Sequence, residues 1–201
     1  MNKETVIRRV FKPGVFLLCL IPLAVIVERA LFGGLGANPV EAVNRFLGDW
    51  ALRILLVTLT ITPLVHLGGW PVLVRFRRMV GLFAFFYAVL HVSNYVIADQ
   101  FFNWGDIWAD IVKRNYITVG MGVIIILTAL AVTSPKAMIK KMGATRWRKL
   151  HRLAYIAGIG GVFHYWMMIK ADLLLPQIHA AILAVLLGYR LYRSKIKTRS
   201  L

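Results

Sequence analysis

Cysteine is nearly absent from this chain: there is one, Cys19, inside an apolar run. No disulfide can close within the chain, and no C-x-x-C-H is present for covalent attachment of a haem. Any haem would be held by axial ligands and packing alone. Acids are scarce too, eight Asp and Glu against 25 Lys and Arg. None of the eight falls in the middle of an apolar run, where a proton-coupled transporter with histidine relays would usually place them. A nucleotide-binding unit is also missing. Only about ten residues follow the last apolar run, against the ~30-residue βαβ fingerprint such a unit requires. GIGGVF at Gly158–Phe163 echoes a glycine-rich loop, but no strand precedes it and it sits inside an apolar helix. It reads as packing, and a reductase built this way is expected to borrow its reductant and its final catalyst.

What the chain has in abundance is apolar sequence. Of its 201 residues 59% are hydrophobic, and mean hydropathy is +0.70. Soluble domains lie nearer 45–50% apolar, so the reading is an all-α membrane protein. Six runs approach the ~20 residues a bilayer requires: Val15–Phe32, Ala51–Leu67, Met79–Ala98, Ile117–Thr133, Leu150–Ile169 and Leu174–Tyr192. They predict a six-transmembrane-helix bundle forming a single domain over residues 1–201, with no visible internal repeat. Pro22, Pro63 and Pro176 lie within or beside these runs and are tolerated where neighbouring helices satisfy the freed backbone groups. Lys3, Arg8, Arg9 and Lys12 before the apolar stretch Val15–Val27 resemble a signal peptide. With five further spans and no A-x-A site, the segment reads as an uncleaved first span.

The net charge of +17 suggests nucleic acid as a partner, but in a membrane protein Lys and Arg collect on cytoplasmic loops. With a cytoplasmic N-terminus, that side receives four basic residues before the first span and three after the second. It also receives seven between the fourth and fifth and five from Arg190 onward, nineteen of the 25. Both termini are therefore expected in the cytoplasm, with membrane lipid and not nucleic acid as the charge partner. On the outer side, Gly33–Trp50 and Asp99–Asn115 mix polar residues with aromatics such as Phe101, Phe102, Trp104 and Trp108. Two readings remain open there: an interfacial aromatic belt, or a docking surface for a protein.

Histidine inside a membrane span marks a functional site by default. His91 in the third span and His164 in the fifth both lie about 18–20 Å from the cytoplasmic end of their helices, at 1.5 Å rise per residue. Two neutral imidazoles at one depth on facing helices suit a six-coordinate haem. They would serve zinc poorly, since structural zinc takes four protein ligands and catalytic zinc three. Gly161, Gly160 and Ala157 share the helical face of His164, which leaves room either for a flat macrocycle or for close helix packing. His151 stands at the cytoplasmic mouth of the fifth span among Arg146, Arg148, Lys149 and Arg152. It ligates an inner haem, neighbours a flavin phosphate, or is a solvated interfacial histidine. His66 and His179 are weaker candidates at span ends.

RRMVGLFAFFYAVLH in the third span and WRKLHRLAYI and HYW around the fifth resemble the ferric-reductase-like transmembrane superfamily. Within it the resemblance is to the MsrQ (YedZ) family of haem-binding membrane subunits of periplasmic methionine sulfoxide reductase systems. GGLGANPVEAVNRFLGDWAL and ITPL fit the same family, so the likeness spans nearly the whole chain. It implies a b-type haem conduit in the bacterial inner membrane, with one or two haems. Electrons would come from a cytosolic flavin reductase or from quinol and leave to a periplasmic molybdopterin-containing methionine sulfoxide reductase subunit, for repair of oxidised proteins. The haem-associated positions of the family correspond to His91, His151 and His164, and FMN is also associated with it. Two-haem members of the superfamily carry a second histidine 14 residues before the equivalent of His91, where this chain has Arg77. An inner haem would then need Arg77, His66 or an external ligand as its partner. Beside the electron conduit stand two alternatives, the proton-coupled transporter and a metal-ion reductase that needs no protein partner.

Overall fold

The computed structural model describes residues 3–199, and every regular element among the described residues is helical. Helix α1 (Lys3–Val6) runs through a π-helical segment at Ile7–Phe11 into α2 (Lys12–Leu31). Pro22 removes one backbone donor from α2. Just beyond it, the buried Tyr87 hydroxyl donates to the Cys19 carbonyl at 2.8 Å and accepts from the Leu23 N–H at 3.0 Å. The phenol thus occupies a rung of the α2 ladder and ties the first helix to the third span.

Helix α3 (Pro39–Leu67) starts at Pro39, well before the apolar run that opens at Ala51. Local chemistry explains the early start. The Asn38 side chain caps the Glu41 N–H, Pro39 takes the first turn, and Glu41–Arg45 and Asp49–Arg53 form i,i+4 pairs at 2.6 and 2.7 Å. The outer stretch expected over Gly33–Trp50 is therefore mostly helix, and Asp49 lies within it. Near the other end, Pro63 denies the Leu59 carbonyl its usual i+4 donor. Arg190 supplies one instead, its Nη2 at 2.7 Å from that oxygen and its guanidinium 4.3 Å from the centre of the Tyr155 ring.

A short 3₁₀ turn (Pro71–Leu73) leads into α4 (Val74–Asn94), which continues as a π segment to Asp99. Then come α5 (Trp104–Lys113), α6 (Asn115–Val132), α7 (Lys136–Met142), α8 (Ala144–His151), α9 (Leu153–Met168) and α10 (Leu174–Arg199). Among the described residues, five helical stretches are long and apolar enough to cross a membrane: Glu4–Leu31, Pro39–Leu67, Pro71–Asp99, Asn115–Val132 and Leu174–Ile196. The run read as Leu150–Ile169 is divided at Arg152, leaving α9 with 16 residues, about 24 Å of helix.

The most extensive helix pairings are α3 with α4 and α6 with α9. Contacts of α3 with α9 and of α4 with α6 join the pairs into a four-helix core, flanked by α2 against α4 and by α10 against α9 and α3. Glycines bring α9 close to its neighbours: a Cβ at Gly160 would meet Val123 at 2.7 Å, and one at Gly158 would meet Leu59 and Leu183 at 3.3 Å. Large apolar side chains such as Leu17, Leu18, Ile125 and Val185 point outward, as a lipid-facing surface requires.

Candidate cofactor site

The four-helix core brings together His91 of α4 and His164 of α9. Their ring centres are 6.2 Å apart and their planes stand at 81°. Each imidazole is anchored in the same way on the helix paired with its own. His91 Nδ1 lies 2.9 Å from the Asn44 carbonyl oxygen on α3, and His164 Nδ1 lies 2.6 Å from the Tyr116 carbonyl oxygen on α6. A carbonyl only accepts, so Nδ1 carries the proton in each ring and Nε2 keeps its lone pair. Metal-ligating histidines are typically oriented by such a bond.

Each ring also lies over a glycine one helical turn beyond its carbonyl. A Cβ at Gly48 would sit 3.1 Å from His91 Nδ1 and Cε1, and one at Gly120 would sit 3.0 Å from the same atoms of His164. The α3–α4 and α6–α9 pairs therefore build one device twice: a carbonyl at position i, a glycine at i+4, and a histidine from the partner helix seated on both.

The two rings border a cavity of about 490 Å³, within the usual range for a cofactor or ligand pocket. Leu52, Leu55, Val123 and Leu127 give it apolar walls, and Arg45, Asp99, Arg114 and Lys170 give it a polar rim. Asn44 Oδ1 and Asp49 Oδ1, in residues lining it, are buried without a hydrogen-bond partner. A haem fits these residues. Two imidazoles ligating one iron in line place their centres about 6 Å apart, from metal–nitrogen bonds of about 2 Å and about 1 Å more to each ring centre. No cluster of three or more His, Cys, Asp or Glu able to hold a bare metal ion occurs among the described residues.

His151 is placed elsewhere. It closes α8, stacks on Trp147 with ring centres 3.9 Å apart, and has Nε2 at 3.1 Å from Thr133 Oγ1. It does not line the cavity. Arg77 reaches Thr62 Oγ1 at 3.4 Å, His66 is exposed at the end of α3, and His179 is buried with Nδ1 at 2.7 Å from the Leu175 carbonyl. Of the glycines on α9, Gly161 lines the cavity, whereas Gly158 and Gly160 serve helix packing. The residues that sequence reasoning missed are Asn44, Gly48, Tyr116 and Gly120. In the sequence they stand as N-x-x-x-G on α3 and Y-x-x-x-G on α6, spacings too ordinary in membrane helices to single them out.

Comparison with known proteins adds a family. Residues 47–162 match the family described as "Ferric reductase like transmembrane component". A protein of Rhodospirillum rubrum named protein-methionine-sulfoxide reductase heme-binding subunit MsrQ is 52% identical over 192 residues, 96% of this chain and 92% of the relative. Proteins of the same name from Caulobacter vibrioides and Polaromonas naphthalenivorans are each 46% identical. Those alignments span 90% and 94% of this chain and 86% and 87% of the relatives.

Proposed function

We propose a function from one premise: the chain belongs to the ferric-reductase-like transmembrane family and, within it, to the MsrQ haem-binding subunits. It is a haem-binding, multi-pass membrane electron-transfer subunit, and the finer reading is as follows. His91 and His164 would hold a b-type haem, non-covalently because no C-x-x-C-H is present. The observation that carries this is the pair of imidazoles 6.2 Å apart, each with Nδ1 held by a backbone carbonyl. When bound, the haem supplies a one-electron couple inside the bilayer.

The protein lies in the bacterial inner membrane. The 16-residue α9 is the fifth of six spans and a short one, and both termini are cytoplasmic, which puts the two ligands toward the outer leaflet. A cytosolic flavin reductase or quinol donates electrons, and a periplasmic molybdopterin-containing methionine sulfoxide reductase receives them for repair of oxidised proteins. The basic cytoplasmic loops receive the donor. His151 marks an inner redox position next to that donor, and FMN is a second cofactor to be sought by extraction and quantification.

The test is a reduced-minus-oxidised optical spectrum with haem quantified per chain, on the wild type, His91→Ala and His151→Ala. Sharp low-spin b-type bands lost in His91→Ala establish the ligand. Two haems per chain, falling to one in His151→Ala, assign an inner haem to His151. One haem that persists in that variant removes it from the ligand set. A colourless wild type from haem-replete cells overturns the reading, and a haem protein that reduces external metal ions but never co-purifies with a periplasmic subunit points to the metal-ion reductase.

A further inference from the structure

Helix α5 is apolar where none of the described residues covers it. Ile107 is its buried residue, and the Asp110 carboxylate is pinned to the end of the third span by the Tyr95 hydroxyl at 3.0 Å. Elsewhere on its surface, Trp104, Trp108 and Val112 follow one another at helical spacing and are 66%, 68% and 64% exposed, and Phe101, in the turn that leads into the helix, is 80% exposed. An apolar stripe of this kind in water is costly.

Chain connectivity says what lies against it. The span before α5 ends at Asp99 and the one after begins at Asn115, so both ends of α5 are tied to the same membrane boundary. Four residues separate α5 from the first span and Arg114 alone separates it from the second. The helix is about 15 Å long, and the four-residue link before it is folded, with the Phe102 N–H on the Val96 carbonyl at 2.9 Å and the Asn103 N–H on the Gln100 carbonyl at 2.8 Å, so both ends of α5 are held beside the ends of their spans. It therefore lies across the bundle end, parallel to the membrane plane. The turn that lays it down is forced: Phe101 and Phe102 have φ of 45° and 61°, an uncommon region for bulky side chains. Tryptophan is the side chain most at home at headgroup depth, and Lys113 closes the helix with a charge suited to a phosphate.

We propose that α5 is an interfacial anchor whose Trp104–Trp108–Val112 stripe, with Phe101 in the turn before it, is embedded in the outer-leaflet headgroup region. Its partner is a phospholipid surface. The anchor also has a use: three residues after α5 comes Tyr116, whose carbonyl holds His164. Seating α5 in lipid thus fixes the start of α6 and, through it, one of the two histidines. This last step rests on the proposed haem reading, whereas the membrane contact does not.

The test uses the full chain in phospholipid nanodiscs, with a spin label at Val112→Cys in a Cys19→Ser background and a matched label at Asp106→Cys. Collision with oxygen, which concentrates in lipid, is compared with collision with a water-soluble nickel chelate. The expected result is a several-fold preference for oxygen at position 112 and the reverse at 106. Replacing Trp104 and Trp108 by Ser in the labelled chain should move position 112 toward water. Two outcomes overturn the proposal: equal or greater nickel access at position 112 in the intact stripe, or shielding there only after a purified periplasmic partner is added. Loss of haem in the Trp104→Ser/Trp108→Ser chain supports the link to His164. Absence of haem from the wild type sinks the haem reading and leaves the depth measurement standing.

Discussion

Gly120→Ala tests the site with one methyl group. Its Cβ would lie 3.0 Å from His164 Nδ1 and Cε1, several tenths of an ångström inside ordinary contact. The ring cannot retreat freely, because its Nδ1 is held at 2.6 Å by the Tyr116 carbonyl. Either the hydrogen bond stretches or the helices part. Overpacking of this kind costs about 1–3 kcal/mol, and disturbance of a metal ligand's supporting bond typically lowers metal affinity about 10–100-fold. The variant is therefore expected to lose haem to a competing apo-globin about 10–100 times more readily than wild type, and its low-spin bands should broaden. Gly48→Ala, with its Cβ 3.1 Å from His91, should behave alike. Gly122→Ala is the control, since nothing lies within 4 Å of its Cβ. There the loss of glycine from a helix should stabilise by about 0.5–1 kcal/mol. If Gly120→Ala holds haem as tightly as Gly122→Ala, with unaltered bands, the argument that these glycines seat the ligands is wrong.

Two further predictions concern the helices that frame the site. Tyr87→Phe removes the hydroxyl that bridges the Cys19 carbonyl and the Leu23 N–H. It should lower stability by about 1–3 kcal/mol for the groups left unpaired, read as a lower unfolding midpoint in detergent with the haem spectrum unchanged. Arg190→Ala leaves the Leu59 carbonyl without a donor and should cost a similar ~1–3 kcal/mol. Adding Pro63→Ala restores a backbone N–H at the right place in α3, so the double variant should regain much of that loss. If Pro63→Ala makes Arg190→Ala no more stable, the two residues do not share that carbonyl.

The helical class and the membrane setting were legible because they depend on composition and run length alone. The matched depth of His91 and His164 was legible for a related reason: rise per residue is a constant, so counting along two spans that run in the same direction locates them. The helix boundaries were harder. Ala51 looked like the start of a span because hydropathy begins there, but Asn38, Pro39 and two i,i+4 ion pairs carry the helix into polar sequence, where a hydropathy count cannot follow it. The division at Arg152 was hidden for the opposite reason, since the sequence from Leu150 onward stays apolar enough to read as one helix. His151 showed the limit of residue type as a guide. Its position among cations was visible, whereas its stacking on Trp147 and its contact with Thr133 depend on how α8 folds back against the end of α6.

The glycines were invisible for a deeper reason, and they also explain the symmetry of the site. No repeat is apparent in the sequence, because Asn44–Gly48 and Tyr116–Gly120 share only the glycine, although the histidines follow at nearly equal separations of 47 and 48 residues. What repeats is a spatial relation. A backbone carbonyl and an absent side chain, one turn apart on one helix, receive an imidazole from the next. Backbone carbonyls are available at every position, so the carbonyl itself leaves no mark in the sequence. Only the absence of a Cβ one turn later is encoded, and a single glycine in a membrane helix is ordinary. Placing the device on two helix pairs that pack face to face fixes both Nε2 lone pairs by backbone geometry and leaves no long side chain to drift. That is why one added methyl group, at either glycine, should be felt at the imidazole seated on it.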